Sequence, residues 1–279
     1  CSSDLGGSMT FPVLGIERVA ESVYSAAVQA PDIAARACAG QFVILRLDET
    51  GERFPLTLCD WSPGEGWIRL VFQVVGRSTM KFSRLRAGDA ILDLLGPLGR
   101  PTEVEGYGHV VCVGGGVGIA AIYPICRAMR EGGNRVTGII GARTADLLIL
   151  EEEMAAVVDR LIVSTDDGTR GVSGRVTWPL EELLKEDGAD LVVAVGPAVM
   201  MKFVSAVTRD LGVPTRVSLN SIMLDGTGMC GTCRCEVAGK TRFACVDGPE
   251  FDGHEVDWNL LLSRLNQYLE EEEIARRRG

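Results

Sequence analysis

Histidine and aromatic side chains are scarce in this chain: it has two histidines in 279 residues, and Phe, Trp and Tyr together make up 6%. His109 and His254 read as a strand start and a loop residue, and no Ser/His/Asp constellation is visible. Nucleophilic triad chemistry therefore has no candidate residues. Long apolar runs are also missing. None approaches the roughly 20 residues that cross a bilayer, which excludes a membrane span. Basic residues are in deficit, with a formal net charge of −10. That balance argues against nucleic acid or an anionic membrane surface as the main partner. No internal repeat or low-complexity tract is present. A secretory signal is not expected either. The opening, Cys1 to Ser8, is short, polar and Gly/Ser-rich ahead of Met9, and reads as an added leader outside the fold. A cytoplasmic protein is expected.

What is present suits a soluble globular protein, with 46% hydrophobic and 24% charged residues, and a length that suggests two domains plus a small appendix. From Phe11 to about Gly99 the chain reads as short strands, among them Gln41 to Leu47, Trp67 to Val75 and Ala90 to Leu94. Turn residues at Asp48, Gly51, Pro63-Gly64 and Gly88-Asp89 separate them. Strands without long intervening helices predict an antiparallel Greek-key barrel over residues 9–105.

The pattern changes at Gly106. The apolar run His109 to Val113 stops on Gly114-Gly115-Gly116, and Ile119, Ile122, Cys126 and Met129 then recur at helical spacing. Pro124 inside that stretch predicts a kink or a late helix start. Further strands at Val136 to Ile140, Arg160 to Ser164 and Leu191 to Val195 alternate with helical segments. Alternation of this kind predicts a parallel α/β sheet over 106–216. A Gly- and Cys-rich lobe follows over 217–255, then a helix and tail over 256–279. The tail carries Trp258, Leu261, Leu262, Leu265 and Leu269 on one stripe, ending in four glutamates from Glu270. That stripe suits either a partner subunit or the chain's own body.

Nine cysteines are too many for decoration, and an odd number argues against a complete disulfide framework. Cys1, Cys38, Cys59, Cys112 and Cys126 are scattered, as small buried hydrophobes often are. The other four fall in Asp225-Gly-Thr-Gly-Met-Cys230-Gly-Thr-Cys233-Arg-Cys235 and Phe243-Ala-Cys245. Cys-x2-Cys in a glycine-rich loop with a remote cysteine is cluster or metal spacing. Plant-type iron–sulfur spacing is Cys-x4-Cys-x2-Cys plus a distant Cys, and its first position here falls on Asp225. A carboxylate can bind iron, although oxygen is the harder donor. A zinc site from Cys230, Cys233, Cys245 and either Asp225 or Cys235 is the alternative. Cys235 rivals Asp225 as fourth ligand, since it would share a face with Cys233 if that segment were a strand.

Gly114, Gly115, Gly116 and Gly118 end a strand and open a helix, which suits close approach of a phosphate. Gly196-Pro197 follows another strand of the same sheet, and the carboxyl ends of such strands are where open α/β sheets bind ligands. Gly141 and Arg143 would lie near an adenosine ribose, with Arg143 meeting a 2′-phosphate or only solvent.

Taken in order, the motifs are Arg53-x-Pro-Leu-Thr57, Val75-Gly-x-x-Thr79, Gly96-Pro-Leu-Gly99, Gly114-Gly-Gly-Val-Gly118, Gly196-Pro-x-x-Met200 and Asp225-Gly-Thr-Gly-Met-Cys-Gly-Thr-Cys233. This series resembles the ferredoxin–NADP reductase superfamily and, within it, the electron-transfer subunits of dihydroorotate dehydrogenases. The chain is most similar to the small subunits of NADH-dependent reduced-ferredoxin:NADP oxidoreductases, also known as sulfide dehydrogenase subunits. The resemblance runs from Met9 to Glu273. It implies FAD between barrel and nucleotide domain, NAD(H) on the second domain, and a 2Fe–2S cluster on the lobe. By the same resemblance, Pro55, Leu56 and Thr57 would lie by the flavin ring and ribityl chain. Phe72, Gln73 and Val74 would line the flavin, with Gly76, Ser78 and Thr79 at its pyrophosphate. Arg53 stands two residues before Pro55 instead of one, a departure at a flavin phosphate contact. Asp225, Cys230, Cys233 and Cys245 would hold the cluster, with aspartate where the dihydroorotate dehydrogenase subunits have a fourth cysteine.

The function implied is electron transfer between NAD(H), FAD and the cluster to a larger FAD/iron–sulfur subunit in an electron-bifurcating complex, with ferredoxin served indirectly. NADH is expected to be preferred over NADPH. Alternatives are the electron-transfer subunit of dihydroorotate dehydrogenase, a stand-alone ferredoxin reductase, and a zinc-stapled interaction subunit without activity.

Overall fold

The computed structural model describes residues 10–268 together with Glu271, Glu273 and Ile274; the leader, Leu269 of the apolar stripe and Ala275 lie outside the described residues. Strands β1 (Phe11–Ala20), β2 (Val23–Gln29), β3 (Phe42–Arg46), β4 (Phe54–Ser62), β5 (Trp67–Gln73), β6 (Ala90–Ile91) and β7 (Asp93–Leu98) form one sheet. Two short helices, α1 (Pro31–Ala34) and α2 (Arg77–Phe82), interrupt the run. The order β6-β1-β2-β5-β4-β3-β7 contains the predicted Greek key, since β3, β4 and β5 meander and β2 lies beside β5. The end strands β6 and β7 are separated in the chain by Leu92 alone, so the two edges meet and the barrel nearly closes. Its core is built from Val28, Val43, Leu45, Leu58 and Leu70, the inward set of alternating strands, together with Phe82 of α2.

The second sheet holds β8 (His109–Gly115), β9 (Arg135–Ala142), β10 (Arg160–Thr165), β11 (Val172–Ser173), β12 (Leu191–Val195), β13 (Thr215–Ser218) and, later in the chain, β16 (Glu250–Asp252). Helices α3 (Gly118–Glu131), α4 (Glu151–Val157), α5 (Thr177–Glu186) and α6 (Ala198–Asp210) connect and cover it. The order is β11-β10-β9-β8-β12-β13-β16, parallel except for the last pair. Strand order reverses between β8 and β12, so a crevice opens at their carboxyl ends. Helix α3 begins at Gly118, ahead of Pro124 and not after it, which corrects the expected late start. The apolar side of α3 is buried from Ile119 to Met129 and carries the turn through.

The lobe adds a hairpin, β14 (Arg234–Val237) and β15 (Lys240–Phe243), and lends β16 to the edge of the parallel sheet. Helix α7 (Trp258–Leu265) starts on Asp257, whose carboxylate accepts from Asn259 N at 3.0 Å and Leu260 N at 2.9 Å. Trp258 and Leu261 enter the core formed by β12, α5 and α6. The apolar stripe therefore covers the chain's own nucleotide sheet, and these two side chains offer no surface to a partner. No helix among the described residues is long and apolar enough to cross a membrane.

Barrel and second sheet share a core: Val23, Cys59 and Val71 pack with Ile119, Ile122 and Tyr123. Arg127 on α3 bonds Asp60 Oδ1 at 2.9 Å and lies 5.4 Å from the ring centres of both Trp61 and Tyr123. Burial of Cys59 at this seam pushes its thiol up to about 12.

Candidate functional site

One cleft joins the barrel to the carboxyl ends of the parallel strands. It has a volume of about 410 Å³, and Gln73, Gly115, Gly116, Gly141, Arg143 and Pro197 all line it. Six residues predicted from separate motifs thus meet on one surface. Gly116 takes a positive φ of 56° and opens toward free space, as a backbone approached by a ligand requires. Gly118 answers a different demand. A Cβ there would lie 2.4 Å from Val195 O, so this glycine serves the close packing of α3 on β12.

Sequence reasoning missed part of this wall. Val199 and Phe203 on α6 face the cleft beside the motif residue Met200, as do Asp166, Arg175 and Thr177. Val199 and Phe203 are exposed apolar side chains, and their spacing of four residues just after Gly196-Pro197 was the available signal.

The barrel residues divide by strand register. Phe42 pairs with Thr57, Val43 with Leu56 and Ile44 with Pro55. Directly opposed residues share a sheet face. Leu56 therefore turns inward with Val43 to the barrel core, while Pro55 and Thr57 face outward with Phe42 and Ile44. Phe72 is also turned inward, 1% exposed and 4.6 Å from the Phe82 ring centre. Val74 packs against the same core. Arg53 pairs with Asp93 at 3.8 Å. Gly76, Ser78 and Thr79 lie at the start of α2, where Thr79 Oγ1 accepts from Val75 N and Gly76 N at 3.1 Å each.

On the lobe the candidate ligands come in two pairs. Asp225 Oδ2 accepts from Cys230 N at 2.6 Å, and Asp225 Oδ1 accepts from Thr227 N at 2.5 Å. Hydrogen bonds from Cys230 and Thr227 hold the Asp225 carboxyl well below the usual carboxylate range. Cys233 Sγ and Cys245 Sγ are 3.2 Å apart, both buried and both free thiols. Burial, with Cys233 alongside, pushes the Cys245 thiol up to about 12. A 2Fe–2S cluster takes two protein donors per iron. The close thiols of Cys233 and Cys245 fit one such iron, and Asp225 and Cys230 lie on the loop beside them. A structural zinc would gather four donors about one point.

Cys235 takes another direction. Strand β14 begins at Arg234, so Cys233 lies outside it and the two thiols do not share a strand face. Cys235 is buried in the core that holds Trp258 and Leu261, and its Sγ donates to Arg242 O at 3.7 Å. Cys233 and Cys245 instead pack on Phe42 and Ile44 of the barrel, with Met223 and Ala244.

Comparison with known proteins agrees with this arrangement. Residues 220–257 match the family model for the iron–sulfur cluster binding domain of dihydroorotate dehydrogenase B. A Thermotoga maritima protein named as a homolog of the dihydroorotate dehydrogenase B (NAD(+)) electron transfer subunit is 50% identical over 97% of this chain and 96% of its own length. The electron transfer subunit of Clostridium perfringens is 30% identical over 85% of this chain and 93% of its own. Among solved structures, a chain from the NADH-dependent reduced ferredoxin-NADP oxidoreductase, studied for flavin-based electron bifurcation, superimposes with a TM-score of 0.92. It is 49% identical and covers 98% of this chain and 99% of its own. A Neisseria gonorrhoeae ferredoxin NADP+ reductase with bound FAD and NADP shares the fold alone, with a TM-score of 0.59 at 19% identity over 73% of this chain and 91% of its own. On full-length identity and fold together, the chain belongs to the family of dihydroorotate dehydrogenase B electron transfer subunits.

Proposed function

We propose that this chain moves electrons between NAD(H), FAD and a 2Fe–2S cluster and exchanges them with a larger FAD/iron–sulfur subunit, in a complex of the bifurcating NADH-dependent ferredoxin:NADP oxidoreductase type. The observation that carries the reading is the register of β3 on β4. It sets Pro55 and Thr57 on the same outer face as Phe42 and Ile44, against which Cys233 and Cys245 pack. Neighbouring strands are about 4.8 Å apart, so a flavin on Pro55 and Thr57 would stand one strand from the cysteine pair. When bound, flavin interconverts a hydride and single electrons, and the cluster carries electrons singly.

The chain's own residues then have separate tasks. Gly115, Gly116 and Pro197 admit the dinucleotide backbone, with Gly114, Gly118 and Gly196 keeping strand and helix close behind them. Gly141 and Arg143 receive the adenosine end. Gln73 reaches the cleft from the barrel side, where nicotinamide and flavin would meet. Gly76, Ser78 and Thr79 offer the pyrophosphate contact, with Val74 packed on the barrel core and Arg53 paired with Asp93 behind them. Asp225, Cys230, Cys233 and Cys245 would hold the cluster. Residues 9–105 carry flavin, 106–216 nucleotide and 217–255 the cluster, while α7 (Trp258–Leu265) closes the nucleotide sheet. Free thiols at eight described cysteines suit a reducing, cytoplasmic setting.

A carboxylate at 225 favours the bifurcating type over a dihydroorotate dehydrogenase subunit, for which four cysteines are expected. Anaerobic isolation of the tagged chain from its native host tests the assignment. A larger flavin- and iron–sulfur-containing subunit should co-isolate, and the complex should couple NADH and ferredoxin to NADP. A complex that oxidises dihydroorotate, or a lone chain that reduces ferredoxin, would contradict it.

A further inference from the structure

A second, smaller cavity of about 140 Å³ lies between the cluster loop and α7. Ser221, Cys230, Thr232, Arg234, Arg264 and Tyr268 form most of its wall. Ser221 is 6% exposed, and its Oγ is the one buried side-chain nitrogen or oxygen without a hydrogen-bond partner among the described residues. A buried hydroxyl left in that state carries its full desolvation cost, so such groups are normally satisfied by something bound beside them. The cavity also indicates the sign of that occupant. Arg234 donates to Gly231 O at 3.3 Å and Arg264 to Thr232 O at 3.1 Å. These contacts fix two guanidinium groups around the cavity, and their charge favours an anion. Cys230 is the wall residue that would bring one.

We propose that the Ser221 hydroxyl donates a hydrogen bond to anionic sulfur at the Cys230 end of the 2Fe–2S cluster and raises the cluster's reduction potential. This inference rests on the cluster assignment above. Reduction adds negative charge to the cluster, so a donor to its sulfur stabilises the reduced form more than the oxidised form. Removing the donor makes reduction harder.

The test is a redox titration of the full chain, purified anaerobically and followed by electron paramagnetic resonance, on the wild type, Ser221→Ala and Ser221→Thr. The alanine variant should retain the cluster with its reduction equilibrium about tenfold less favourable, equivalent to 59 mV for a one-electron couple. Threonine keeps the hydroxyl and should restore the wild-type value. An unmoved potential in Ser221→Ala, or an equal shift in both variants, overturns the proposal. If the alanine variant fails to hold its cluster, Ser221→Cys supplies a weaker donor and should shift the potential in the same direction by less. A wild-type potential in that variant also overturns it. A wild type without any 2Fe–2S cluster removes the site assignment and this inference together, whereas a cluster with an insensitive potential removes this inference alone.

Discussion

At the scale of single residues, Asp225 does two things. Its carboxylate organises the loop by accepting from the backbone of Thr227 and Cys230, and in the proposed function it is the fourth cluster ligand. Asp225→Cys should keep a 2Fe–2S cluster with an altered spectrum. Asp225→Ala should make the cluster labile, and Cys235→Ala should leave it intact because that thiol lies in another core. Iron and sulfide analysis with electron paramagnetic resonance measures all three; cluster loss in Cys235→Ala alone would transfer the role to Cys235. The cysteines themselves were legible as a spacing. Which thiol faces which way was not, because that depends on where β14 begins. The same holds in the barrel, where Leu56, inside a matching motif, and Phe72, carried over by resemblance, both point into the core. A motif fixes chain position, and strand register then decides which side chains reach the outer face.

Elements carried more of the account than single residues did. The strands predicted at Gln41 to Leu47, Trp67 to Val75 and in the parallel sheet fall close to their observed limits, because alternation and continuous apolar runs are local signals. The single run Ala90 to Leu94 instead divides at Leu92 into β6 and β7. Pro124 misled the helix start, since the cost of a proline is local while burial of the surrounding face is not. The edge strand β16 had no sequence signal. It exists because β13 offers it hydrogen bonds across 30-odd intervening residues of lobe. Helix α7 shows the same limit: its stripe was visible, but not the surface it covers. Trp258→Ala should therefore cost about 3 to 5 kcal/mol of stability by urea or thermal unfolding, the usual price of emptying a buried tryptophan site. Association with the larger subunit should persist in the variant that remains folded. Unchanged stability with lost association would return the helix to an interface role.

On the scale of the whole molecule, the parts are placed for transfer over short distances. Barrel and nucleotide sheet share a core, the Arg127 contacts brace the seam, and the lobe rests on β3 while donating β16 to the sheet. Flavin strand, nucleotide cleft and cysteine pair are consequently parts of one packed body. The order of motifs along the chain anticipated this set of parts, while their adjacency follows from strand pairing that no local window contains. The most direct test mixes the anaerobic purified chain with NADH and follows flavin absorbance together with rapid-freeze electron paramagnetic resonance. The account predicts bleaching of FAD that is faster with NADH than with NADPH, followed by the signal of a reduced 2Fe–2S cluster at two irons per chain. A chain that holds zinc, lacks flavin, or bleaches with no cluster signal would contradict it.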